Sequence, residues 1–245
     1  MINNIEAKSL RQTGRIAGGL YLTIIIAGIF AEFFVRQSLL VPGDAVATAQ
    51  NITAAEGLFR LGIAGDLIMI LSDVALAVAF YVLLKPVSRG LALLAAFFRL
   101  GQAAILGINL LNLLLVLRLL SGAEYLTVFS AEQLHGLALF FFTGHGLGYS
   151  LAMVPFAMSL LVLGYLVFKS GYFPKILGIL LVVAAAGYLI DSFAGFLLPN
   201  YGAYADVFAL VVFLPAFIGE LAMCLWLLVK GVKVEPARLR PSLAA

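Results

Sequence analysis

Seven polar residues sit inside stretches that are otherwise apolar: Glu32, Asp66, Asp73, Arg99, Asn109, Asp191 and Glu220. An ionisable group in hydrocarbon is costly, so by default it marks a ligand site, a proton site or an ion pair. The five acids greatly outnumber the lone base, Arg99. One guanidinium can pair with one or two carboxylates, here Asp73 and Glu220. The other acids then need protonation, water, a cation, or hydrogen bonds from Tyr, Ser and Asn. A ligand or proton site is one reading of these residues; a structural ion-pair clamp is the other.

His145, in "TGHGLGY", adds a weak candidate metal ligand beside Glu32, Asp66 and Asp191. One His with three carboxylates suits a divalent cation. No HxxxH, HExxH or HxxE spacing puts two strong ligands on one helix face, so a histidine bonded to water or backbone is the preferred reading and no metal is expected. "GYSLA" around Ser150 lacks the G-x-S-x-G elbow. No phosphate-binding or dinucleotide fingerprint occurs. No catalytic signature and no cofactor are therefore expected, and an enzyme is the less favoured reading.

These residues need elements to hold them, and composition says what those are. Of 245 residues 64% are hydrophobic and 11% charged, and mean hydropathy is +1.13. A soluble domain carries roughly 25% charged residues because its surface meets water. Apolar runs near residues 15–36, 61–84, 91–120, 144–168, 174–198 and 208–230 each reach the ~20 residues that cross a bilayer core. The expected fold is an all-α polytopic transmembrane bundle of six spans.

Around the spans, residues 1–14 read as a cytoplasmic N-terminal segment, 15–232 as one transmembrane domain, and 233–245 as a flexible basic cytoplasmic tail. Short interfacial helices are expected near 43–57, with Asp44 as N-cap, and near 131–142, where Ser130 and Gln133 form a capping-box pattern. A single long helix through 131–168 is the alternative. Eleven basic residues fall on one side of the spans, among them Lys8, Arg11, Arg15, Lys85, Arg89 and Lys230. By the positive-inside rule both termini are cytoplasmic, in a bacterial inner membrane. The bases are dispersed at helix ends, which excludes a nucleic-acid surface. The lone cysteine, Cys224, excludes an intrachain disulfide.

Depth follows from the basic anchors at 1.5 Å per residue. Glu32 and Asp191 come out roughly 25 Å up, and Asp73, Arg99 and Glu220 at roughly 15–18 Å. Asp66 and Asp73 are seven apart and share a helix face. Arg99, Gln102, Asn109 and Asn112 fall within an arc of about 140°, a polar stripe aimed into the bundle. "AGIFAEFF" and "AGYLIDSF" echo each other, pairing Glu32 with Asp191. A parallel repeat of spans one and two with five and six, around three and four, accounts for the echo; so does chance in glycine-rich apolar segments. Repeats of this kind frame ligand sites in transporters.

The motifs "RIAGGLYL", "AGIFAEFFVR", "TAAEGLFRLGIAGDLIM", "LLAAFFRLGQAAILGINLLNLL" and "IGELAMCLWLLVKGV" resemble an uncharacterised family of bacterial multi-pass membrane proteins, domain of unknown function 4386. The resemblance covers roughly residues 12–232. It implies a small multi-pass membrane protein and carries over no activity, cofactor or site residue. The favoured expectation is binding or transport of a small cationic or amphipathic ligand through a polar intramembrane cavity. The alternatives are an enzyme acting on a lipid or isoprenoid at the outer leaflet, with Glu32, Asp191 and His145 as acid–base or metal groups, and a structural or partner-binding subunit without a small-molecule site.

Overall fold

The computed structural model describes the backbone of residues 2–232, and the side chains of residues 8–232 other than 205, 209, 211 and 213. The tail expected over 233–245 lies outside the described residues. Among those described, every regular element is helical. Helix α1 (Ile2–Ile29) runs on as a π-helix over Phe30–Arg36 and ends in a short α turn, Gln37–Leu39. Then come α2 (Ala45–Ala54), α3 (Glu56–Leu84), α4 (Arg89–Leu119), α5 (Ala131–Ser170), α6 (Lys175–Leu197) and α7 (Ala205–Val229).

Length and hydropathy explain why these are membrane helices. Five are long and apolar enough to cross a bilayer, starting at Lys8, Glu56, Arg89, Ala131 and Lys175, and Leu214–Val229 is a shorter apolar helix. Burial is inverted relative to a soluble protein. Ile108 and Leu147 are about 70% exposed, at 70% and 69%, whereas Asp66, Asp73 and Arg99 are 2–3% exposed. Apolar side chains thus meet lipid while polar ones turn inward, as hydrocarbon solvent requires. The protein is a multi-pass membrane protein. Pro155 and Pro215 sit inside α5 and α7, as membrane helices tolerate.

The chain folds into two compact units. The first comprises Met1–Leu22, Asp73–Leu100 and Met153–Ala245; the second comprises Thr23–Ser72 and Gly101–Ala152. In the first, α6 packs on α7, and α5 meets α6 at a glycine crossing. A Cβ on Gly164 would lie 2.7 Å from the Gly178 carbonyl oxygen, so backbones touch there and no other residue fits. In the second, α2 starts as expected: the Asp44 carboxylate accepts from the Ala47 amide at 2.9 Å. The Thr48 hydroxyl bonds both backbone groups of Val41, and Asn51 donates to the Leu39 carbonyl. These bonds tie α2 to the end of the preceding helix.

The expected break near residue 142 does not occur, and this is a correction. The capping box starts α5 with reciprocal bonds of 2.8 and 3.2 Å between Ser130 and Gln133. The helix then continues for 40 residues without interruption. At 1.5 Å per residue it is about 60 Å long, well beyond the ~30 Å hydrocarbon core. One glycine of this stretch serves packing. Gly148 leaves room that the Asn109 side chain fills, where an added Cβ would overlap the amide outright. That contact offsets a helix-interior glycine cost of about 1 kcal/mol.

Candidate functional site

The expected site residues divide between the units, with Asp73, Arg99, Asp191 and Glu220 in the first and Glu32, Asp66, Asn109 and His145 in the second. In the first unit, Arg99 of α4 donates from Nε to Asp73 Oδ1 of α3 at 2.6 Å. Its Nη2 is 2.6 Å from the same oxygen without adding a hydrogen bond. The guanidinium carbon lies 5.7 Å from the Tyr21 ring centroid and 5.1 Å from that of Phe156, an arrangement that stabilises a desolvated cation.

Glu220 does not pair with Arg99, contrary to expectation. Its two carboxylate oxygens accept from the phenols of Tyr21 at 3.0 Å and Tyr188 at 2.8 Å. The planar rings of α1 and α6 reach it first, while the guanidinium stacks on Tyr21. A void beside Arg99, lined by Ala77, Phe80, Ala95 and Ser159, has a volume of only about 10 Å³. That admits nothing larger than one water. Ion pair, flanking rings and phenol–carboxylate bonds together form a clamp joining α1, α3, α4, α5, α6 and α7.

Asp191 has a different neighbour, the Tyr201 phenol, which donates to it at 2.7 Å. Tyr201 lies in a 3-10 turn beyond α6. Burial, then the hydrogen bond and charge of Asp191, push its phenol up to about 12. Glu32 and Asp191, paired in the sequence echo, therefore have unlike partners.

The second unit holds the feature that the sequence reading missed. Arg36, at the end of the first apolar run, is 6% exposed and lies inside the fold. It donates from Nε to Glu32 at 2.8 Å and from Nη1 to Asp66 at 2.5 Å. The five acids thus face two interior guanidiniums rather than one. The spacing of four between Glu32 and Arg36 was the available signal. The π turn completes the group. In an α-helix, residues five apart point about 140° away from each other; in the π-helix they align. The Gln37 amide N–H bonds the Glu32 carbonyl, and its side chain donates to the Glu32 carboxylate at 3.2 Å.

His145 of α5 is 4% exposed. The Asn109 side-chain amide lies 3.1 Å from its Nδ1 and 2.9 Å from its carbonyl oxygen. The Asn109 carbonyl is farther from Nδ1, at 3.4 Å. Nε2 has no hydrogen-bond partner. Asn112 fixes the amide by donating to Asn109 Oδ1 at 2.9 Å. Part of the polar stripe expected on α4 thus orients a histidine.

A cavity of about 500 Å³ opens beside these groups. Glu32, Arg36 and Gln37 line it from the π-helix, and Phe142, His145 and Tyr149 from one face of α5. Of the seven residues singled out at the start, Glu32 lines it directly. Asp66 and Asn109 stand behind it as partners of Arg36 and His145. Among the described residues, no group of three or more His, Cys, Asp or Glu side chains is placed to hold a metal ion. The site offers a carboxylate acceptor and aromatic walls.

Comparisons with known proteins agree with the fold class. The profile of the domain of unknown function DUF4386 matches residues 16–231. An uncharacterized protein of Archaeoglobus fulgidus is 34% identical over 173 residues, spanning 71% of this chain and 85% of its own. No solved structure matches the chain. With nearly the whole bundle covered by one profile, this chain belongs to the DUF4386 family.

Proposed function

We propose that the protein binds a small amphipathic cation, an alkyl amine, in the cavity of its second unit. One observation carries this reading: a cavity of about 500 Å³ sets the half-exposed Glu32 carboxylate beside the Phe142, His145 and Tyr149 rings. Cavities of this size suit small ligands, and a few convergent polar groups set their orientation. Glu32 and Asp66 carry two negative charges against the single positive charge of Arg36. That excess favours a cationic head on the ligand. The Glu32 side chain is 44% exposed and can accept from an ammonium while it holds Arg36. Phe142, His145 and Tyr149 flank the chain.

Thermal unfolding of the purified protein with octylamine or octanoate tests this. Octylamine is expected to raise the midpoint and octanoate to leave it unchanged, and Glu32→Gln should lose most of the octylamine response. Equal responses to the two compounds would refute the reading. The location proposed is the inner (cytoplasmic) membrane of a bacterium with both termini cytoplasmic, from the distribution of basic residues. A fluorescent protein fused after Ala245 should then fluoresce, and a periplasm-dependent phosphatase fused there should be inactive.

A further inference from the structure

The first unit carries a second candidate binding site, built on different chemistry and independent of the cavity above. Lys8, Arg11, Gln12 and Arg15 are spaced three, four and seven residues along α1, which puts them on one face. Lys230, at the end of α7, joins them around a cleft of about 510 Å³. Among the described residues, no carboxylate lines it. Among the described residues, the ion pairs involve only Arg36, Arg60 and Arg99. Four cations in one cleft repel one another, and a bound anion relieves that repulsion.

The wall that brings Lys230 to α1 is well defined. Gly231 has φ +63°, a left-handed turn that takes the chain out of α7. Its amide and that of Lys230 both bond the Trp226 carbonyl, at 3.0 and 2.8 Å. Val232, 2% exposed, then seats on Gly14, where an added Cβ would lie 2.9 Å from its Cγ2. The helix end is therefore locked beside the basic face of α1.

We infer that this cleft binds the phosphate headgroup of an anionic phospholipid. Paired arginine forks match phosphate oxygens geometrically, and basic pockets between membrane helices hold such headgroups. Position favours lipid over a soluble anion. Arg15 precedes the first apolar run and Lys230 follows the last residue of α7, so the cleft sits where apolar helix gives way to water. Ile16 and Val229, next to Arg15 and Lys230, are 53% and 67% exposed and offer apolar surface to an acyl chain.

The test uses the full chain in uncharged detergent, with dioctanoyl phosphatidylglycerol, dioctanoyl phosphatidylcholine and inorganic phosphate as probes. Phosphatidylglycerol is expected to raise the unfolding midpoint, and the other two are not. R11Q/R15Q should weaken phosphatidylglycerol binding on the order of thirtyfold and leave the lipid-free midpoint near that of the parent. R11K/R15K should retain most of the binding. If inorganic phosphate saturates the response alone, the site is anionic but its ligand is soluble, and the lipid assignment fails. An equal response to phosphatidylcholine, or undiminished binding by R11Q/R15Q, overturns the site itself. Should R11Q/R15Q not fold, K8Q/K230Q makes the same comparison.

Discussion

Arg36 and Arg99 answer one problem in two ways. Both guanidiniums are buried in a chain whose surroundings are hydrocarbon, and each meets a carboxylate of α3, Asp66 or Asp73. Arg99 is enclosed by rings and faces a void of about 10 Å³, so its role is to hold helices together. Arg99→Met should therefore destabilise the protein by about 3–5 kcal/mol, the usual cost of stranding a buried partner charge. R99M/D73L should recover much of that loss. Reversible unfolding in mixed micelles measures both, and octylamine binding by the folded fraction should not change. Tyr201 yields a pH prediction. Its folded-state value, about 12, is raised above the ordinary 10.0. The stability it contributes is thus full below pH ~10 and lost as pH rises through ~12. Tyr201→Phe should abolish that component of the alkaline unfolding curve.

At the scale of elements, the π-helix over Phe30–Arg36 decides the site. Its extra residue per turn aligns Glu32 with Gln37 and keeps Arg36 on Asp66. Deleting Phe34, which is 64% exposed, should return the segment to α geometry and rotate the residues that follow. The expected results are loss of octylamine binding and a stability loss of about 3–5 kcal/mol from the broken Arg36–Asp66 pair. Unaltered binding after the deletion would show that the π turn is incidental. Sequence reading could not find this turn, because "GIFAEFFVR" has ordinary helical composition and π geometry comes from packing. What local sequence does encode was legible: the Asp44 cap, the Ser130–Gln133 box and most helix limits. The continuity of α5 stood only as the alternative reading, because a capping box marks where a helix starts and not how far it runs. Here Gly148 is matched by Asn109, a contact between residues 39 apart in sequence.

For the whole molecule, hydropathy made the class plain and left the polar interior undetermined. A 20-residue window shows where the chain meets lipid, not which inward side chain meets which. The acids singled out from the sequence are polar contact points, yet their partners are long-range choices: Glu220 takes two phenols, Asp191 takes Tyr201, and Asp66 takes Arg36. Arg36 was overlooked because a basic residue at the end of an apolar run normally anchors at the interface. The two units consequently differ in character. The first contains a closed clamp and a basic cleft, and the second contains an open amphipathic cavity.

The claim that this cavity is a ligand site is tested most directly by filling it. Gly146 lines the cavity, and a Cβ added there meets nothing within 4 Å. Gly146→Leu should therefore fold with an unfolding midpoint at or above that of the parent, since leucine is the better helix former by several tenths of a kcal/mol. Octylamine binding, followed by equilibrium titration, should fall at least about tenfold as side chain displaces ligand. A folded Gly146→Leu protein that binds octylamine as the parent does would contradict the account.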